Sequence, residues 1–166
     1  IVKTARSFFN NVPDLEGAIK KMIEENATFK KQAEEFARQK AAEFAKLLSS
    51  RANEVNGVKL IVIGSKDVSG SDADPAFIRN AAQLLQKELN NTALVAAVAY
   101  EGKPNLLLMY SDDLIARGKN AGKDIREAAK FIQGGGGGQP GLAAAGGKNV
   151  DGLENALELL KNIATR

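Results

Sequence analysis

A heptad pattern near the start of the chain constrains the fold more than any other feature. Leu15, Ile19, Met22, Asn26, Phe29, Ala33 and Phe36 recur at alternating spacings of four and three, the signature of an apolar seam along one helix. The seam slips by one residue and resumes through Ala37, Ala41, Phe44 and Leu48. Glu24, Glu25, Lys30, Lys31, Glu34 and Glu35 fall outside it, in alternating signs suited to water. The pattern predicts one helix from Pro13 to about Val55, with Asp14 or Pro13 at its start. At 1.5 Å per residue such a helix is roughly 60 Å long. It must bend back, project outward or pair with another chain. Asn26 in the seam would favour one register if it pairs.

Beyond Asn56-Gly57 the period changes. Val58 to Ile63 is β-branched and ends at Gly64, which reads as a strand. A polar loop from Ser65 leads to Asp74-Pro75, an N-cap followed by proline in the first turn of a helix with Phe77, Ile78, Ala81, Leu85 and Leu89 on its apolar stripe. Strands follow over Ala93–Tyr100 and Leu106–Tyr110, and the short Glu101-Gly102-Lys103 turn between them implies an antiparallel hairpin. Asp112 and Asp113 read as a turn and helix start, since neighbours on a strand point apart and make a poor metal pair. A helix is predicted over Lys119–Ile132, a short strand over Leu142–Ala145, and a last helix opened by Asp151 and Glu154 as a capping box. The fold class is α/β (α+β). Residues 1–56 form a long helical, coiled-coil subdomain, and residues 57–166 a small globular domain with a mixed four-stranded sheet and flanking helices.

Cys and His are both absent from the 166 residues. That excludes disulfides, Cys-His and Ser-His nucleophilic machinery and histidine acid–base chemistry, and it leaves zinc without its usual ligands. No apolar run approaches the roughly 18 residues needed to span a bilayer, and no signal peptide opens the chain. It starts at Ile1, the pattern expected of a piece of a longer protein, with the cytoplasm as default location. The net charge of +3 is uninformative, but its distribution is not. Between residues 117 and 148, Arg117, Lys119, Lys123, Arg126, Lys130 and Lys148 face only Asp124 and Glu127, leaving +4 in that window. Concentrated positive charge attracts a phosphate backbone, although a solvated basic helix face has the same composition.

Within that window, residues 134–147 hold eight of the 16 glycines, at Gly134 to Gly138, Gly141, Gly146 and Gly147. Glycine carries an entropic cost on folding, so a cluster like this is either a linker or a place where bare amides approach something closely. Its position between two amphipathic helices disfavours a linker. Consecutive glycine amides can form anion-binding concavities. Two nucleotide-loop motifs fail. A Walker A loop needs glycine where Leu142 stands and Ser or Thr where Asn149 stands, and Gly136 to Gly141 matches G-x-G-x-x-G only formally, following a helix instead of a strand.

The run from Gly134 through Gln139-Pro140-Gly141-Leu142 to Ala145-Gly146-Gly147-Lys148 resembles the glycine-rich signature of the DHH-associated domain. Ending in Ala-Gly-Gly-Lys, it is most similar to the version in the C-terminal domain of the alanyl-tRNA synthetase family. The Val58–Gly64 strand, the Glu101-Gly102-Lys103 turn, Leu106–Ser111 with Asp112-Asp113-Leu114, and Ala121-Gly122 with Ile125 fall in that family's order, and the charged helix resembles its helical linker. The sequence departs from the family's usual residues at Gln139, Gly141 and Ala144. The resemblance implies a non-catalytic part of an ATP-dependent ligase. ATP, magnesium and zinc would be used in its other domains, and no cofactor in this one. The implied partners are alanine-specific tRNA, held at its elbow so that aminoacylation and editing serve one tRNA, other domains of the synthetase, and a second copy through the helical part. No membrane is implied.

The expected nucleic-acid contacts are Gly134, Gly135, Gly136, Gly137, Gly138, Gln139, Gly146, Gly147 and Lys148 of the glycine segment, with Arg117, Lys119, Lys123 and Arg126 beside it; Ser65 and Lys66 are weaker candidates. Catalytic and metal residues are expected to be absent. The competing readings are the substrate domain of a DHH-type nuclease or phosphoesterase and a coiled-coil oligomerisation module.

Overall fold

The computed structural model describes residues 14–166. Helix α1 spans Leu15–Ser50. Asp14 caps it, its carboxylate accepting from the Gly17 amide at 2.9 Å; the alternative start at Pro13 lies outside the described residues. The helix stops short of the predicted Val55, because Asn53–Val55 form a strand, β1. The chain divides into two compact units within α1, after Gln39. In the first, the seam side chains Ile19, Met22 and Phe29 are exposed. Ala37 of the continuation is exposed as well. In the second unit Ala41 and Leu48 of the continuation are buried, together with Ala45, and Phe44 is half-buried with its ring centre 5.1 Å from that of Phe77.

The second unit continues with β2 (Val58–Gly64), α2 (Pro75–Glu88), β3 (Thr92–Tyr100), β4 (Lys103–Tyr110), the short α3 (Asp112–Ala116), α4 (Ala121–Ala129), β5 (Gly135–Gly138), β6 (Leu142–Gly146) and α5 (Leu153–Ala164). The sheet has six strands in the order β1-β2-β3-β4-β6-β5. The predicted count of four missed the two edges, β1 and β5. β1 was absorbed into the helix, and β5 consists of four glycines with no β-propensity to announce it. Among the described residues only β2 and β3 pair in parallel, with α2 as the crossover between them; the other pairs are antiparallel.

Both faces of the central strands are covered, which is why β3 is apolar at nearly every position instead of alternating. Ala93, Val95 and Ala97 join Leu106 and Leu108 against Ile125 and Ala128 of α4 and Ala156 and Leu160 of α5. Leu94, Ala96 and Val98 join Leu107 and Met109 against Ile78, Ala81 and Leu85 of α2 and Ala45 and Leu48 of α1. Turn chemistry fixes the register. Asn56-Gly57 and Glu101-Gly102 both sit at positive φ, as two-residue hairpins of the primed type require, and they set Val55 against Val58 and Tyr100 against Lys103. The Asp74 cap of α2 forms as expected, accepting from Ala76 N at 2.9 Å. The capping box of α5 does not. Asp151 lies in a 3-10 turn over Val150–Gly152, and Gly152 caps the helix without a side-chain bond.

A polar junction closes the end of the sheet where β3 begins and β4 ends. The buried Ser111 hydroxyl accepts from Thr92 N at 2.9 Å and donates to Asp113 at 2.7 Å. Asp113 also accepts from Asn91 N at 2.8 Å and from Arg117 at 3.3 Å. The Ser111 hydrogen bond, then the Asn91 amide and the Arg117 charge, outweigh desolvation and hold the Asp113 carboxyl below the usual carboxylate range. Because its folded pKa lies below the unfolded value of about 3.9, Asp113 stabilises the fold above that pH and ceases to do so as pH falls below it. Asp113→Asn should therefore be less stable than the parent at pH 7, with the gap narrowing below about pH 4 in denaturant titrations.

Candidate nucleic-acid interface

The glycine segment folds as a hairpin, not as a loop. Gln139 and Leu142 exchange both backbone hydrogen bonds around Pro140-Gly141, and β5 then runs antiparallel to β6 with Gly135 opposite Gly146 and Gly138 opposite Ala143. Several amides expected to face a ligand are used within the protein. Gly134 N donates to Ala129 O, Gly147 N to Pro104 O, and Lys148 N and Asn149 N both to Ile132 O. The ladder alternation that starts from the bonded Gln139–Leu142 pair turns Gly135 and Gly137 inward and Gly136 and Gly138 outward. The Gly138 carbonyl lies against Gly122 in the first turn of α4. Gly136 is thus left with its backbone polar groups at the open edge of the sheet.

Close backbone approach accounts for several of the glycines. A Cβ on Gly136 would lie 2.5 Å from Ala144 O and 2.3 Å from Ala145 Cβ; one on Gly134 would lie 2.1 Å from Gly146 O, and one on Gly147 2.1 Å from Ile132 O. Gly141, a departure from the family's usual residue, faces only the ends of the Gln86 and Ile115 side chains, which can move aside. Gly135 has open space at its Cβ, and Gly137 meets only the Arg126 guanidinium at 3.7 Å. Gly136→Ala should therefore lower stability by about 1–3 kcal/mol. Gly135→Ala should change it by less than about 1 kcal/mol, both read from urea midpoints.

The structure sorts the expected basic contacts into different situations. Lys148 borders a cleft of about 490 Å³ with Gly134, Gly135, Gly146, Gly147, Gln133 and Lys103. Arg126 lies beside Gly137. Lys123 and Lys119 line a second cleft of about 470 Å³ beside Pro140 at the hairpin tip. Gln139 is exposed at that tip. Lys119 is occupied: its ammonium donates to Ile163 O at 2.7 Å and to an Arg166 oxygen at 3.2 Å, and sits 5.8 Å from the Tyr110 ring centre. It tethers the last turn of α5, where a cation meets bare carbonyls. Arg117 belongs to the Asp113 junction and also donates to Asn91 at 3.1 Å. Ser65 is likewise committed to β3, through Ala97 O and Ala99 N. The Tyr110 hydroxyl donates to Asp124 at 2.8 Å; burial first, and this bond second, push its pKa up and keep the phenol neutral.

Lys103, Lys123, Arg126 and Lys148 are exposed and make no ion pair among the described residues. Lys103 is an addition to the expected set. It read as a turn residue, and only the placement of β4 against β6, with Asn105 opposite Gly146, brings it to the glycine edge. Among the described residues no cluster of three or more Asp or Glu could hold a metal ion, and no helix is long and apolar enough to cross a membrane.

Comparison with known proteins gives the family of this fold. The DHHA1 domain family model matches residues 54–166. Alanine–tRNA ligases of Bacteroides thetaiotaomicron and Parabacteroides distasonis are 44% and 41% identical over 98% and 97% of this chain, which spans 18% of the length of each. The crystal structure of the C-Ala domain from Aquifex aeolicus alanyl-tRNA synthetase superposes with a TM-score of 0.55 at 31% identity, covering 69% of this chain and 98% of that domain. The DHH domain of a member of the s1p family of ribosomal proteins shares the fold alone, with a TM-score of 0.52 at 12% identity over 92% of this chain and 33% of its own. The matched region is thus one domain of a ligase and not the whole enzyme. By its glycine hairpin, its sheet and these matches, the chain belongs to the DHHA1 domain family and, within it, to the C-Ala domains of the alanyl-tRNA synthetases.

Proposed function

We propose that this domain binds tRNA as an accessory part of an alanyl-tRNA synthetase, through the glycine edge and the basic side chains around it. The observation that carries the reading is an exposed strand without side chains bordered by Lys103, Lys148 and Arg126. A phosphodiester backbone needs positive charge and close approach, and this surface supplies both. The contact we assign is to the elbow of alanine-specific tRNA, coupling aminoacylation with editing. That chemistry, with its ATP, magnesium and zinc, belongs to other domains of the cytoplasmic ligase. Filter binding of tRNA across a salt series tests the proposal. Affinity should fall linearly on a log–log plot, and Lys103→Ala or Lys148→Ala should each reduce the slope by about one. No binding at low salt would sink it.

The exposed Ile19, Met22, Ile23 and Phe29 of α1 support a second role, pairing with another copy through the helical part. Sedimentation should then show a dimer that Met22→Glu converts to monomer. A parent chain that sediments as a monomer at high concentration excludes that role.

A further inference from the structure

The basic cleft at the glycine edge adjoins a second depression of different character. On the sheet face that carries α2, a groove of about 370 Å³ is floored by Ala96, Val98, Leu107 and Ala144 and walled by Ile78 and Arg79. Its lining is mainly apolar, and the alanines leave the floor shallow. α2 packs on β3 and β4, so the groove continues onto β6, reaching Gly146. Asn105 and Gly146, opposite each other on β4 and β6, line this groove and the basic cleft alike. One step along the sheet therefore passes from Lys103, Lys148 and bare glycine to an apolar slot with a guanidinium on its wall.

We infer that the two depressions together hold one unpaired nucleotide of RNA, the phosphate in the basic cleft and the base in the apolar groove. This rests on the RNA-binding reading above and specifies what part of an RNA the surface takes. A nucleotide carries an anionic group and a flat ring with apolar stacking faces within one residue, which is the order in which the two depressions lie. Stacked bases of an A-form duplex cannot enter such a slot, whereas looped or single-stranded nucleotides can be splayed into one. Arg79, exposed on the wall, can lay its guanidinium plane on the base. Asn105, whose amide nitrogen donates to Lys103 O at 3.0 Å, keeps its side-chain oxygen as an acceptor at the junction.

The test uses two probes, an unstructured RNA oligonucleotide and a blunt RNA duplex of the same length, with fluorescence anisotropy as the readout. Ala144→Phe fills the groove from its floor, and Arg79→Ala strips its wall at an exposed position that should not disturb folding. Each should weaken single-strand binding about tenfold, the scale of one lost base-stacking contact, and leave duplex binding unchanged. Lys148→Ala should weaken both probes. If Ala144→Phe and Arg79→Ala bind the single strand as tightly as the parent while Lys148→Ala does not, the nucleotide site is wrong and the RNA-binding reading stands. If the parent binds neither probe nor tRNA, both are wrong.

Discussion

The distance between backbones governs this domain. The chain enters and leaves the glycine hairpin through positions where another main-chain atom occupies the space a Cβ would take: Gly134 against Gly146 O, Gly136 against Ala144 O, Gly147 against Ile132 O and Gly152 against Phe131 O. Gly122 does the same for α4, whose first turn rests on the Gly138 carbonyl. These approaches draw β5 and β6 onto the sheet and hold α4 close beneath them, with Ala121, Ala128 and Ala129 completing a contact surface of small side chains. The entropic cost of ordering so many glycines is offset by hydrogen bonds at both ends of the hairpin and by burial of Ala143 and Ala145.

That arrangement explains which parts of the fold could be read from residues alone. Local rules worked where the signal was local. Asp74-Pro75 starts α2, Glu101-Gly102 makes a tight hairpin, and Ala41 and Leu48 of the predicted apolar stripe of α1 are buried. The rules failed where structure depends on distant partners. Four glycines carry no strand signal, so β5 exists only because β6 lies beside it. β1 is three exposed residues held by pairing with β2, and the end of α1 concealed it.

The interface was legible in part, and for the same reason. Composition located the glycine cluster and the excess of lysine and arginine around it. Composition does not reveal which amides the protein consumes for itself, nor that Lys119 clamps the end of α5 and Arg117 completes the Asp113 junction. Lys103 stands 45 residues from Lys148 in sequence, and the two share a cleft only because β4 pairs with β6. The family resemblance supplied the order of elements, and the side-chain geometry decides which of its basic residues remain open to solvent.

The open edge at β5 has a consequence for assembly. A flat strand without charge, proline or side chains is the kind of edge onto which another chain's strand can add, since it lacks the charged residues and prolines that blunt many sheet edges. Here its brevity is the safeguard. With Gly135 and Gly137 turned to β6 and the Gly138 carbonyl covered by α4, only Gly136 presents both backbone groups outward. One residue cannot sustain a ladder, so this edge, though open, offers another chain's strand too little to pair with.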